Sequence, residues 1–287
     1  MIQRTDGVPK ADEITRLFGR RGALIGMLHL LPLPGAPRYM PGDGMAAVVE
    51  QALSEARILE DCGFDGVIIE NGWDIPFVKP DDVGPETVAA LSVVTERVRQ
   101  VIDLPIGVNC LANAVRESIA VAAAAGAAFV LANQWANAYI ANEGLVEGRA
   151  GAVTRYRHAI GADHVTVWAD VQVKLGSHSI TADRSLSEQA RDAEWFDADA
   201  LIVTGSRLAD PPAQNDLRVV RDATALSIVA GSGVRSDNLE AIFEHADAVI
   251  VGSSLKEGDV WYGAMSKEAV LDLARARDRA MQDSGPA

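Results

Sequence analysis

Ser227-Ile-Val-Ala-Gly-Ser-Gly-Val234 and Ala248-Val-Ile-Val-Gly-Ser-Ser-Leu255 decide the fold of this chain. A β-branched run of this length reads as a strand buried on both faces. The glycine that ends it lets backbone N–H groups approach an anion with no side chain between. The first run leads into Ser236-Asp237-Asn238, residues that cap helices. Two such turns in succession read as one anion site.

Working outward, similar runs span Ala23 to His29, Gly66 to Glu70, Pro105 to Cys110, Phe129 to Asn133, Thr166 to Val171 and Ala200 to Thr204, ahead of Ser227 to Gly231 and Ala248 to Gly252. Between them lie stretches of helical length. Met45 to Cys62 carries apolar residues at helical spacing, Pro85 to Val101 opens on Pro-Glu, and Ser118 to Ala125 ends at Gly126. Strands alternating with helices imply a parallel sheet with right-handed crossovers. Eight of them imply closure into a single (β/α)8 barrel, whose phosphate site is built from the loops after the last two strands. Gly205, Gly231, Ser232, Gly233, Gly252 and Ser253 are therefore the expected phosphate-binding residues.

No linker divides the chain. Residues 1–21 read as an N-terminal extension, 22–282 as the barrel and 283–287 as a tail after a last helix from Lys267 to Met281. The Gly-Ala or Asp-Ala-Asp flavour before strands, as at Cys62-Gly-Phe-Asp65 and Phe196-Asp-Ala-Asp199, reads as a structural repeat without chemistry.

With 48% hydrophobic and 23% charged residues over 287, the chain can build one large core. A net charge of −14 argues against a nucleic-acid surface, whose phosphates would be repelled at long range. A small anion needs only local donors. Cys62 and Cys110, both in apolar stretches, read as buried free thiols. No secretory signal or membrane-length apolar run is present, so the expected compartment is the cytoplasm. Self-association is expected of such a barrel, without a diagnostic interface.

In barrels of this kind reacting groups sit at the C-terminal strand ends. Those ends carry His29, Glu70 with Asn71, Asn109, Asn133, and Asp170 followed by Lys174. Alternation that turns Asp170 inward also turns Trp168 and Thr166 inward beneath it. A carboxylate over an aromatic plug titrates high through desolvation, or normally if Lys174 reaches it. Asp170, Glu70, Lys174 and His29 are the candidate catalytic residues. Glu70 and Asp170 could share a proton, polarise water or hold a divalent ion, with Mg²⁺ or Mn²⁺ suiting carboxylates better than zinc. Asn71, Trp73, Asn109, Asn133, Trp135 and Glu143 are the candidate substrate-binding residues, the indoles as platforms for a sugar face or a base.

The succession Ile25-Gly-Met-Leu-His-Leu-Leu-Pro-Leu-Pro-Gly35, Ile69-Glu-Asn71, Asp74-Ile-Pro-Phe77, Gly107-Val-Asn109, Glu143-Gly-Leu-Val-Glu-Gly148, Ala169-Asp-Val-Gln-Val-Lys174, Val203-Thr-Gly205, Gly231-Ser-Gly-Val234, Val251-Gly252 and Leu255-Lys256 resembles the BtpA/SgcQ family over most of the chain. The resemblance implies a ribulose-phosphate-binding type of barrel. Members of that family are linked to photosystem I biogenesis in cyanobacteria and to sugar metabolism elsewhere. Three places depart from the family pattern. Leu111-Ala-Asn-Ala114 lacks an arginine and an acid, Leu131-Ala-Asn133 lacks an arginine, and Leu175 replaces a histidine. A substrate less anionic away from its phosphate is implied.

These readings converge on an enzyme acting by acid–base chemistry on a small phosphorylated sugar or nucleotide-like metabolite. Isomerisation, aldol-type cleavage and glycosidic cleavage all fit. The alternative is a non-catalytic binding or assembly factor that uses the barrel's surface, since fold alone does not decide function.

Overall fold

A computed structural model describes residues 12–42 and 44–283. The β-branched runs form strands β1 (Ala23–His29), β2 (Gly66–Glu70), β3 (Ile106–Asn109), β4 (Phe129–Ala132), β7 (Thr166–Val171), β8 (Ala200–Thr204), β9 (Ser227–Gly231) and β10 (Ala248–Val251). They close into a barrel in the order β1-β10-β9-β8-β7-β4-β3-β2, every neighbouring pair parallel. An antiparallel hairpin absent from the sequence reading, β5 (Ala138–Ala141) and β6 (Gly144–Glu147), rises from the loop after β4. Each of its strands is too short for a legible period.

Helices α2 (Gly44–Asp61), α3 (Pro85–Arg99), α4 (Val115–Ala125), α5 (Ala150–Ala159), α6 (Leu186–Trp195), α7 (Gln214–Ala223), α8 (Leu239–Phe243) and α9 (Lys267–Asp283) follow the strands. Helix α9 runs two residues past its predicted end, and residues 284–287 of the expected tail lie outside the described residues. Cys62 and Cys110 are buried and unpaired. No described helix is long and apolar enough to cross a membrane.

Period-two alternation splits the core. One set of strand residues packs outward against the helices, as Val67, Val108 and Val203 do. The other fills the barrel, with Ile25, Met27, Ile68, Leu131, Ile202 and Ile250 around Phe129 and Trp168. Those two rings stack at 4.0 Å between centroids and 15° between planes, directly under the Asp170 end of β7.

The opposite end is sealed by a helix that the sequence reading placed in an extension. Asp12 caps α1 (Glu13–Phe18) by accepting from the N–H groups of Ile14 and Thr15. Ile14 is fully buried, and Phe18 meets Phe129 and Trp168 edge-on. Glu13, 5% exposed, accepts from Thr166 Oγ1 at 2.6 Å and from Arg16. Residues 12–18 therefore belong to the barrel's core. One amphipathic turn and a half carries too few apolar positions for sequence periodicity to reveal this. Thr166→Val is expected to lower stability by about 1–2 kcal/mol, because it removes a donor from a buried carboxylate. The midpoint of a urea titration reads it, and an unchanged midpoint would show that the floor contact is idle.

The aspartates before the strands have a structural task. Asp65, Asp199 and Asp247 each accept from the backbone N–H near the start of the neighbouring strand, of Leu24, Val167 and Ile228 respectively. Each also meets an arginine from a helix: Arg277, Arg157 and Arg221. A carboxylate with both partners ties a helix to two strands at once.

Candidate active site

Parallel pairing places His29 beside Glu70, Glu70 beside Asn109, and Thr204 beside Gly231. The polar strand ends therefore share one layer. Above it opens a cavity of about 460 Å³ lined by His29, Glu70, Asn109, Asn133, Asp170 and Lys174, with Gly231 to Gly233 and Gly252 and Ser253 facing the same space.

Two carboxylates dominate its electrostatics. Burial raises Glu70 from 4.5 to about 7, against the opposing pull of Lys174 and of Asn109, whose Nδ2 donates to Glu70 Oε2 at 2.7 Å. The Asp170 charge pushes Glu70 further up. Burial likewise raises Asp170 to about 6, again opposed by Lys174 and by Asn133 Nδ2, which donates to Asp170 Oδ2 at 3.1 Å. Near neutrality the pair can thus hold a proton on one member and accept one on the other. Burial, with the charges of Lys256 and Lys174, lowers His29 to about 3, so its imidazole is neutral. His29 Nε2 lies 3.7 Å from Glu70 Oε1.

Lys256 and Glu55 form a buried ion pair at 2.6 Å. Gln51 joins Glu55 to the carbonyl of His29, which ties this pair to the β1 end of the site. Among the described residues no group of three or more His, Cys, Asp or Glu side chains is arranged to hold a metal ion. Glu70 and Asp170, the two carboxylates expected for Mg²⁺ or Mn²⁺, both line the cavity, with Lys174 beside them.

Across the cavity the turns after β9 and β10 are tied together, because Ser254 Oγ donates to the Val234 carbonyl at 2.6 Å. Ser232 and Gly233 have φ of 71° and 60°. At Gly233 a Cβ would collide with the Asp210–Pro211 backbone, so only glycine fits. Beyond the strand ladder, among the described residues, the N–H groups of Gly233, Val234 and Ser253 have no acceptor within the protein. Asn238 does not cap α8: it accepts from the Arg235 N–H and donates to the Gly233 carbonyl, which fixes the first turn. Helix α8 has five residues and adds little dipole, so the donors here are those of the turns.

Four expected site residues stand elsewhere. Trp135 is buried among the outer helices, its Nε1 donating to the Phe196 carbonyl, because the chain turns outward after Asn133. Asn71 is 2% exposed and spends its amide on Leu111 and Asp74, bracing the loops after β2 and β3. Gly205 lies off the cavity, where the loop after β8 folds back so that its Cα faces the Asp210 backbone. Trp73 packs against Trp261 at a tilt of 50°, centroids 4.7 Å apart, and does not itself line the cavity, whereas Trp261 does. Glu143, on the β5–β6 turn, does line the cavity.

A model of the BtpA family matches residues 20–279. The chain is 36% identical over 253 residues to an uncharacterized protein of Archaeoglobus fulgidus, covering 88% of this chain and 97% of that protein. It is 34% identical over 249 residues to the photosystem I biogenesis protein BtpA of Synechocystis, covering 85% and 84%.

The chain belongs to the BtpA family.

In fold this BtpA-family member is similar to the (S)-3-O-geranylgeranylglyceryl phosphate synthase of Thermoplasma acidophilum in complex with sn-glycerol-1-phosphate, with a TM-score of 0.58 at 12% identity over 93% of this chain and 97% of that one. It is also similar to the thiamine phosphate pyrophosphorylase of Pyrococcus furiosus, with a TM-score of 0.56 at 15% identity over 93% and 98%. These likenesses establish the barrel fold.

The family member's site also contains groups that sequence reading passed over: Phe77, Tyr139, Thr204, Arg235 and Trp261 all line the cavity. Thr204 was legible, since it ends a strand in the same layer as Gly231. Phe77, Arg235 and Trp261 sit on loops whose course no periodicity fixes, and Tyr139 on the short strand β5.

Proposed function

We propose that this protein is an enzyme acting on a phosphorylated sugar or nucleotide-like metabolite by proton transfer at the C-terminal mouth of its barrel. The observation that carries the reading is one cavity with unspent backbone donors on one side and two high-titrating carboxylates on the others. The phosphate rests against the turns at 231–233 and 252–253. Asp170 and Glu70 give and take the proton, held in orientation by Asn133 and Asn109. Lys174 stabilises negative charge that develops between them. Isomerisation, aldol-type cleavage and glycosidic cleavage all use this apparatus.

An assembly factor gains nothing from desolvated carboxylates that weaken its fold, which favours the enzyme over a purely structural role. The two barrels compared above, each named for a phosphate compound, point the same way. Inorganic phosphate and ribose 5-phosphate are expected to raise the thermal midpoint in a concentration-dependent manner. If neither shifts it at millimolar concentration, the phosphate reading fails.

A further inference from the structure

The closed strand order fixes what lies opposite what around the mouth. The anion turns follow β9 and β10, and the diametrically opposite sector belongs to β3 and β4. Beside the asparagines of that sector, Leu111 and Tyr139, with Phe77 from the loop after β2, bring apolar surface to the cavity. Tyr139 is 5% exposed and is stacked from behind by His178, so its ring is held rigidly. Glu143 adds one acceptor to the same lining.

Between the two poles three buried polar atoms on cavity-lining residues have no partner in the protein: His29 Nδ1, Asn109 Oδ1 and Thr204 Oγ1. They come from β1, β3 and β8, three separate points of the ring. A buried polar atom without a partner is costly, and these three share a chemistry, since each can bond a hydroxyl. Asn109 is the sharpest case. Its amide nitrogen is committed to Glu70, and its oxygen, on a residue 2% exposed that lines the cavity, has no partner in the protein.

We propose that the ligand is a phosphorylated sugar that still carries a flat, largely apolar ring bearing N–H groups. Its phosphate lies on the turns after β9 and β10, its hydroxyls on His29, Asn109 and Thr204, and its ring on Phe77 and Tyr139 with an N–H toward Glu143. A bare three-carbon or five-carbon phosphate leaves the apolar surface wet, and the cavity is several times the volume of a phosphate with three carbons. A long alkyl chain would set apolar surface against the Glu143 carboxylate and offer it no donor. This inference rests on the phosphate reading above and narrows it to one class of substrate.

Calorimetric titration of the full chain tests it, with ribose 5-phosphate, adenosine 5′-monophosphate, uridine 5′-monophosphate and nicotinamide mononucleotide as probes. At least one of the three ring-bearing compounds is expected to bind about tenfold or more tightly than ribose 5-phosphate, the scale of one ring stacked on an aromatic side chain. Phe77→Ala is expected to bring that compound's affinity down to the ribose 5-phosphate level. The ratio in the unmodified protein stands even if the variant folds poorly. Ribose 5-phosphate binding as tightly as all three overturns the ring while leaving the phosphate site intact. Binding by none of the four, nor by inorganic phosphate, overturns the phosphate reading itself.

Discussion

Glu70→Gln is expected to stabilise the protein by about 3 kcal/mol at pH 8. Glu70 titrates at its ordinary 4.5 in the unfolded chain and at about 7 in the fold, chiefly because burial penalises the charge. An acid raised on folding holds its proton more tightly in the native state. Stability therefore rises as pH falls through the window from about 7 to 4.5, and the full cost is carried above it. The gap between those two values corresponds to about 3 kcal/mol. Glutamine has no charge to desolvate, and its side-chain oxygen can still accept from Asn109 Nδ2. Urea denaturation of both proteins at pH 8 and pH 4 reads the effect, which should be large at the first and vanish at the second. His29 acts in the opposite sense, since a neutral buried imidazole loses stability as pH falls below 6.5, but it does so in both proteins and drops out of the difference. A variant no more stable than the parent at pH 8 would mean that the cavity hydrates Glu70 well, and the case for a tuned acid would go with it.

The second large effect concerns the anion turns. Ser232→Asp is expected to weaken ribose 5-phosphate binding about 100-fold or more, because like charges brought together in a partly buried site cost several kcal/mol. The backbone should tolerate it. Ser232 has φ of 71°, a region in which aspartate and asparagine are enriched, and its hydroxyl makes only one long contact, 3.4 Å to the Arg207 carbonyl. Ser232→Asn controls for size and is expected to bind within about threefold of the parent, the margin of a neutral surface-like change. Calorimetry on the three proteins, with thermal midpoints to verify folding, decides it. Equal affinity for the aspartate variant would place the phosphate elsewhere.

The strand ends were legible because alternation within a β-branched run fixes which residues face inward. Once β7 is placed, Asp170 over Trp168 follows. Gly231 and Gly252 were legible for the same reason, as the points where a buried run stops. Trp135 and Asn71 were not. Each lies just past a strand, where one loop dihedral decides whether a side chain turns to the mouth or into the helix layer, and both turned to structural partners. Phe77, Tyr139 and Trp261 escaped for the converse reason: they lie well past the ends of β2, β4 and β10, on two loops and the short strand β5, where no barrel-strand alternation sets their direction. The raised pKa values were not fixed by the sequence, which left Asp170 either high or ordinary, because Lys174 opposes burial at both carboxylates and the balance depends on distances that no sequence states.

Helix α1 ends at Phe18, and the family resemblance begins at residue 20. A boundary drawn by homology would therefore cut away Ile14 and Phe18 and leave Phe129 and Trp168 open to water from below. For this member the stopper of the vessel lies upstream of what its kin define as the vessel, so recombinant fragments and family-wide chimeras should start no later than Asp12.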